Sequence, residues 1–292
     1  MWRFKPEHTH EELFRLGADI LKTSEHQDPL RISRSLYLAA SELTETDLIL
    51  KAHERPNEDI FLRFKEFIER ASKNEPISKI LGHKEFFNQD FIVTHDTLDP
   101  REDSETLIQA ILEEYDAQRS APYKILDIGT GSGCLAITCA KIFPKSHVMG
   151  LDISEKALIV ASNNAVRANV GERCSFEISN FGEDIFDRFD IIVSNPPYIP
   201  TAALHYLDAS VRDFDPFEAL DGGDGGFECY KTIARILPAL CLSSTGLFLE
   251  VGIGQAAYVK EIFSASGFTG FKFYTDTQRI IRCVSCRYSD QE

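Results

Sequence analysis

Four short stretches of the sequence carry residue types able to do chemistry. Asn195-Pro196-Pro197-Tyr198 follows the apolar run DIIVS. Proline has no backbone N–H and a fixed φ, so this turn is stiff and its main chain offers carbonyl acceptors and few donors. Such a pattern suits a strand stopped by two prolines. It equally suits a site for an NH2 group, with the Asn195 side-chain oxygen and the Pro196 carbonyl taking one hydrogen each and the Tyr198 ring covering a flat, conjugated group. A second stretch, ILDIGTGSGCLAI, sets Asp127 ahead of Gly129, Gly131 and Gly133 and then an apolar helix, a tight turn that lets a ligand approach the backbone at a helix N-terminus. The spacing is G-x-G-x-G, Cys134 standing where a dinucleotide site wants its third glycine, and the Asp127 carboxylate would repel a pyrophosphate. Asp152, in VMGLDIS, is placed to accept hydrogen bonds from ribose hydroxyls. Asn180 and Phe181, in EISNFGED, offer adenine edge contacts and a stacking face, although Phe181 would suit a core as well. A nucleoside with free ribose hydroxyls, no phosphate, an amino-acid tail and a cationic sulfonium unites these features. S-adenosyl-L-methionine is that ligand, and S-adenosyl-L-homocysteine would be its product.

These residues need elements to position them. Strands are expected at Lys124 to Ile128, His147 to Asp152, Cys174 to Ile178, Phe189 to Ser194 and Gly246 to Val251, mostly separated by helical stretches, with a closing antiparallel pair in the last residues. That alternation predicts an α/β fold, a doubly wound, mainly parallel sheet, in which ligands bind beyond the carboxyl ends of the strands. All four stretches fall there. Upstream, Ile60, Phe61, Phe64, Phe67, Ile68 and Ala71 follow the spacing of one buried helix face. Asp28-Pro29 reads as an N-cap and first helical residue of a helix through Ser41. The expected organisation is a helical bundle over residues 1–75, a β-hairpin linker over 76–100 and a catalytic domain over 101–292.

Composition narrows the partners. The chain of 292 residues carries 46 acidic and 31 basic side chains, a formal charge of −15, which repels phosphate backbones and argues against stable nucleic-acid binding. No apolar run is long enough for a membrane span and the first residues lack a signal-peptide core, so a cytoplasmic protein is expected. The seven cysteines are scattered as free thiols would be. Cys283 and Cys286 form a C-x-x-C inside a strand pattern, where they would face opposite sides and hold no metal.

Seven ordered stretches resemble the protein-(glutamine-N5) methyltransferase family that modifies peptide chain release factors: EPISKILGHKEFF, LDPREDSETLI, ILDIGTGSGCLAI, LDIS, IIVSNPPYIP, DFDPFEALDGGDGGFECYKTI and LFLEVGIGQ. The resemblance implies a seven-stranded Rossmann-like class I methyltransferase sheet preceded by a small helical bundle that meets the substrate protein, and a monomer. It implies methylation of the glutamine in the Gly-Gly-Gln motif of class I peptide chain release factors. It further implies that Asp127, Ile128, Gly129, Thr130, Gly131, Ser132, Gly133, Asp152, Asn180, Phe181 and Asn195 hold the cofactor. Asn195, Pro196, Pro197 and Tyr198 would hold the glutamine amide, with Arg101 and Glu105 at the rim. The chain departs from the family pattern at Lys79, usually aromatic, at Asn180-Phe181, usually Asp-Trp, and at Asp215, usually Glu. Two other substrates fit related motifs: a glutamine of a large-subunit ribosomal protein, and the N6 amine of adenine in nucleic acid. A cofactor-binding protein without catalysis is a third reading.

Overall fold

The computed structural model describes residues 4–24 and 26–289. Contacts divide the chain into two compact units, Met1–Gly82 with Asp208–Phe214, and His83–Leu207 with Asp215–Glu292.

The first unit is helical: α1 (His10–Leu21), α2 (Pro29–Ser41), α3 (Glu45–Leu50), α4 (Glu58–Ala71) and α5 (Ile77–Leu81). Each longer helix begins on a side chain that accepts an otherwise unpaired N–H. Thr9 and Glu12 form a reciprocal capping box on α1. Asp28 caps α2 ahead of Pro29, accepting from Arg31 N at 3.1 Å, and Asn57 accepts from Ile60 N at 2.9 Å at the head of α4. Leu13, Leu21, Leu36, Tyr37, Phe64 and Ile68 are fully buried between the helices, and Tyr37 meets Phe64 edge to face with centroids 4.8 Å apart. The α1 backbone comes so close to α2 at Gly17 that a Cβ there would lie 2.3 Å from Ser33 Oγ. Lys79, on α5, is buried and its Nζ donates to the Phe214 carbonyl at 2.7 Å. A long charged side chain with a carbonyl partner thus fills this buried position.

The second unit opens with a hairpin, β1 (His83–Phe86) against β2 (Gln89–Ile92), turning on Phe87 and Asn88, both with positive φ. The hairpin thus occupies the middle of the expected linker, with α5 before it. Seven strands follow: β3 (Lys124–Ile128), β4 (His147–Asp152), β5 (Cys174–Ile178), β6 (Phe189–Ser194), β7 (Cys241–Glu250), β8 (Phe268–Thr275) and β9 (Ile281–Tyr288). They form one sheet in the order β5-β4-β3-β6-β7-β9-β8, parallel except for β9, which runs antiparallel between β7 and β8. The helices α6 (Glu105–Tyr115), α7 (Cys134–Ile142), α8 (Glu155–Arg167), α9 (Glu228–Leu240) and α10 (Ala256–Ser264) accompany it.

Alternation along the strands feeds two cores. Ile125, Val193, Phe248 and Cys283 point to one, with Ile108, Ile111 and Ala136. Leu126, Ile192, Leu249 and Cys286 point to the other, with Tyr230, Leu237 and Val259. The two cysteines of the C-x-x-C therefore lie on opposite faces, as their spacing in a strand requires. Among the described residues, no helix is long and apolar enough to cross a membrane.

Candidate active site

The middle of the sheet puts the two chemistry-bearing turns side by side. β3 and β6 are parallel neighbours in register, Ile128 opposite Ser194, so the glycine turn and Asn195 both emerge from the same end. A Cβ on Gly129, whose φ is +73°, would sit 4.0 Å from the Asn195 carbonyl.

The glycine turn is pinned to β4. The N–H groups of Gly129 and Thr130 both donate to the Leu151 carbonyl at 2.8 Å, and that of Gly131 donates to Asp152 Oδ2 at 2.9 Å. Ser154 N donates to the other Asp152 oxygen at 3.0 Å. A carboxylate has about four acceptor positions, so Asp152 keeps room to accept from a ligand hydroxyl beside these backbone donors and Ile153 N. Ser132 is buried, and its carbonyl accepts from Asn164 Nδ2 at 2.9 Å. At Gly133, φ is +81° and a Cβ would lie 3.1 Å from Ala161 Cβ, so only glycine lets α7 start here against α8.

Asp127 lies beneath the turn and is fully buried. Its Oδ2 accepts from Thr130 Oγ1 at 2.7 Å and from Ala136 N at 3.1 Å, while Oδ1 has no hydrogen-bond partner. Burial pushes this carboxyl up to about 7, against the pull of the Thr130 and Ala136 hydrogen bonds and with a further push from Asp152. An orphaned buried acceptor oxygen, a carboxylate at Asp152 with acceptor capacity left and a glycine turn open to close approach fit a cationic nucleoside. Asn180 is exposed after β5, and Phe181, at φ +57°, is half-buried against the second core. Ser179 N donates to the Asp152 carbonyl at 3.1 Å, which keeps this turn beside the end of β4.

The Asn-Pro-Pro-Tyr turn is held from behind. Tyr198 O accepts from Gln255 Nε2 at 2.9 Å, Ile199 N donates to Leu220 O at 3.1 Å and Gly222 N to Ile199 O at 2.8 Å. The acidic, glycine-rich ALDGGDGGFE is therefore a buttress for the turn, and its glycines are where side chains would collide: a Cβ on Gly226 would lie 2.3 Å from the Tyr198 carbonyl oxygen. Asn195 is half-buried and Pro196 buried. Asn195 Nδ2 donates to Ser104 Oγ at 3.1 Å, whereas no hydrogen bond within the described residues engages Asn195 Oδ1 or the Pro196 carbonyl. Two acceptors thus remain on the turn.

Arg101 and Glu105 do not pair with one another. Arg101 Nη2 meets the buried Asp215 at 2.5 Å, and Glu105 Oε1 accepts from Phe87 N at 2.8 Å, so one ties the segment before α6 to Asp215 and the other ties α6 to the hairpin. Two residues that the sequence did not single out complete the site. Glu250 ends β7, is buried and accepts from Ser104 Oγ at 2.5 Å and from Tyr198 OH at 3.3 Å. An acid at the carboxyl end of a strand, as at Asp127 and Asp152, was the signal for Glu250. Ser104, inside the charged stretch REDSE, carries none.

The chain is similar to known proteins. Residues 85–209 match the family described as "Methyltransferase small domain" and residues 12–82 that described as "PrmC N-terminal domain". A methyltransferase from Pyrococcus furiosus superposes with a TM-score of 0.52 at 18% identity, covering 76% of this chain and 97% of that one, which is a likeness of fold. The fold and the family matches define a class I, S-adenosylmethionine-dependent methyltransferase. A "Release factor glutamine methyltransferase" of Agrobacterium fabrum is 36% identical over 259 residues, covering 87% of this chain and 90% of its own. One of Geobacter sulfurreducens is 41% identical over 223 residues, covering 75% and 76%. The chain belongs to the release factor glutamine methyltransferase family.

Proposed function

We propose that this protein transfers a methyl group from S-adenosylmethionine to the side-chain amide nitrogen, N5, of the glutamine in the Gly-Gly-Gln motif of class I peptide chain release factors, acting in the cytoplasm and supporting translation termination. The observation that carries this reading is the pair of open acceptors, Asn195 Oδ1 and the Pro196 carbonyl, one strand away from the glycine turn. When bound, the cofactor supplies an electrophilic methyl group on a cationic sulfur, which leaves with the electron pair of the broken C–S bond. Asp127, Ile128, Gly129, Thr130, Gly131, Ser132, Gly133, Asp152, Asn180 and Phe181 would hold it.

A primary amide nitrogen is a weak nucleophile because its lone pair is delocalised into the carbonyl. Asn195 Oδ1 and the Pro196 carbonyl each hold one N–H, which turns the lone pair toward the methyl carbon. Tyr198 covers the amide plane and Pro197 keeps the turn stiff. As the N–C bond forms, the nitrogen becomes positive and its N–H groups become better donors, so both hydrogen bonds strengthen in the transition state. That is electrostatic stabilisation aimed at developing charge. The nitrogen then loses one proton to water and no strong general base is needed.

The test is mass spectrometry of a recombinant class I release factor incubated with the protein and S-adenosylmethionine. One methyl group on the Gly-Gly-Gln glutamine is expected. Removal of one preorganised oxyanion-hole-type partner costs about 100- to 1000-fold in turnover, and Asn195→Ala is expected to lose at least that much while binding the cofactor with little change. An unmodified release factor beside a methylated ribosomal protein or adenine control would overturn the substrate, and equal losses of cofactor affinity and turnover would overturn the role of Asn195.

A further inference from the structure

Glu250 plays no part in the chemistry above, yet it is the end point of the hydrogen bonds that leave the Asn-Pro-Pro-Tyr turn. Ser104 Oγ donates to Glu250 Oε2 at 2.5 Å, Tyr198 OH donates to Oε1 at 3.3 Å, and Tyr230 OH donates to the Glu250 backbone carbonyl at 2.8 Å. Ser104 is also the residue that Asn195 Nδ2 touches, at 3.1 Å. A hydroxyl has one hydrogen to give. With that hydrogen committed to the carboxylate, Ser104 Oγ faces Asn195 as an acceptor only, so the edge of the Asn195 amide turned toward it must be the NH2. The oxygen is left on the other edge.

We propose that Glu250 is a positioning residue which, acting through Ser104, fixes which way round the Asn195 amide lies and so keeps Oδ1 available as the acceptor for the substrate's N–H. The proposal rests on the reading that Asn195 holds the substrate amide. The direction of the chain, from Asn195 to Ser104 to Glu250, depends on its last member being an acceptor at both oxygens. A protonated Glu250 carries a hydrogen of its own. If it gives that hydrogen to Ser104, the serine hydroxyl is free to donate to Asn195, and the amide turns over and presents NH2 where an acceptor is required.

The surroundings put this change near neutrality. Burial pushes the Glu250 carboxyl up to about 7; Asp103 adds to the rise, and the hydrogen bonds from Ser104 and Tyr198 and the charge of Arg282 oppose it. Arg282 is shared between Asp103 at 2.8 Å and Asp276 at 3.0 Å, so much of its charge is already matched. Tyr198, Tyr230, Cys134 and Cys283, the remaining titratable groups that feel Glu250, are all pushed upward by burial and stay neutral through this range. Ionisation of Glu250 as pH rises through about 7 therefore switches the chain into its productive direction.

Two readouts test this on the full-length protein. In the first, the Asn195 side-chain NH2 signal, assigned by its loss in Asn195→Ala, is followed by nuclear magnetic resonance without substrate from pH 5.5 to 8.5. It is expected to titrate with a midpoint near that of Glu250 in the wild type and to stay fixed in Glu250→Gln. The second reads methylation of the release factor. Glu250→Gln is expected to lower kcat about 10- to 100-fold, to leave the KM for S-adenosylmethionine within about twofold and to abolish the rise of kcat with pH, since a positioning loss falls on the transition state. In an Asn195→Ala background the same substitution is expected to have no further effect on kcat. A signal that does not titrate, or a Glu250→Gln effect of equal size with and without Asn195, overturns the proposal. Failure of the release factor to accept methyl with the titration intact overturns only its identity as substrate.

Discussion

The buried Asp127 makes stability depend on pH in a direction opposite to that of an ordinary surface carboxylate. An unfolded aspartate binds its proton with the usual value of 3.8, while burial holds the folded group at about 7. Between those values the folded state keeps a proton that the unfolded state has lost. Stability from this group is fully present below 3.8 and is lost as pH rises through about 7. The shift is about 3 pH units, and at about 1.4 kcal/mol each the loss amounts to roughly 4 kcal/mol. Asp127→Asn cannot lose a proton and lacks this slope. Its amide keeps the bonds from Thr130 and Ala136 through the oxygen, but sets an NH2 where Oδ1 has no partner, at a pH-independent cost of about 1–3 kcal/mol. The variant is therefore expected to be the less stable protein at pH 4.5 and the equal or more stable one at pH 8. Urea unfolding followed by circular dichroism at half-unit pH steps measures the difference. A difference that stays constant to within about 1 kcal/mol across that range would refute the reasoning.

Other outcomes follow from the same geometry. Binding S-adenosylmethionine at pH 6 is expected to release up to one proton, because a cation beside Asp127 favours its ionised form; calorimetry in buffers of different ionisation enthalpy measures it, and Asp127→Asn should show less. Gly226→Ala places a methyl group 2.3 Å from the Tyr198 carbonyl oxygen at φ +79°, so it should displace the turn and cut turnover about 10-fold or more while cofactor affinity, measured by the same calorimetry, holds. Phe64→Ala empties the centre of the helical unit, where Phe64 is fully buried against Tyr37, and should cost about 3–5 kcal/mol in that unit's urea transition.

Much of the fold was legible because its first four parallel strands stop abruptly, and β3 and β6 at its centre are buried on both faces. β3, β4, β5 and β6 end where the sequence reading put them, since each apolar or β-branched run gives way to glycine, Asp152, Ser179 or the prolines. β7 was harder. It begins at Cys241, five residues before the expected Gly246, because CLSST is polar and half exposed, and Ser244 has φ +73°; the pairing of Phe189 with Cys241 and the register shift after it are tertiary facts that no local pattern carries. The site divides in the same way. Asp127, the glycines, Asp152 and Asn195 lie at or just beyond the carboxyl ends of strands and could be found by position alone. Ser104 comes from the segment before α6, and only the folded chain brings it to Asn195 across 91 residues of sequence. The role of ALDGGDGGFE as a buttress was equally hidden, because a glycine chosen for lack of space looks in sequence like a glycine chosen for a turn.

The position of β9 has a consequence for how the protein is made. It lies between β7 and β8, so the inner edge of β7, carrying Leu247 and Leu249, has no permanent neighbour until residues 281–288 exist. During synthesis the parallel core from β3 to β7 can assemble as it emerges, with its last strand presenting an open row of N–H and C=O groups on an apolar ribbon. Such an edge invites pairing with another nascent chain. A polypeptide that stopped before Ile281 would keep every residue of the glycine and proline turns and still be a template for aggregation.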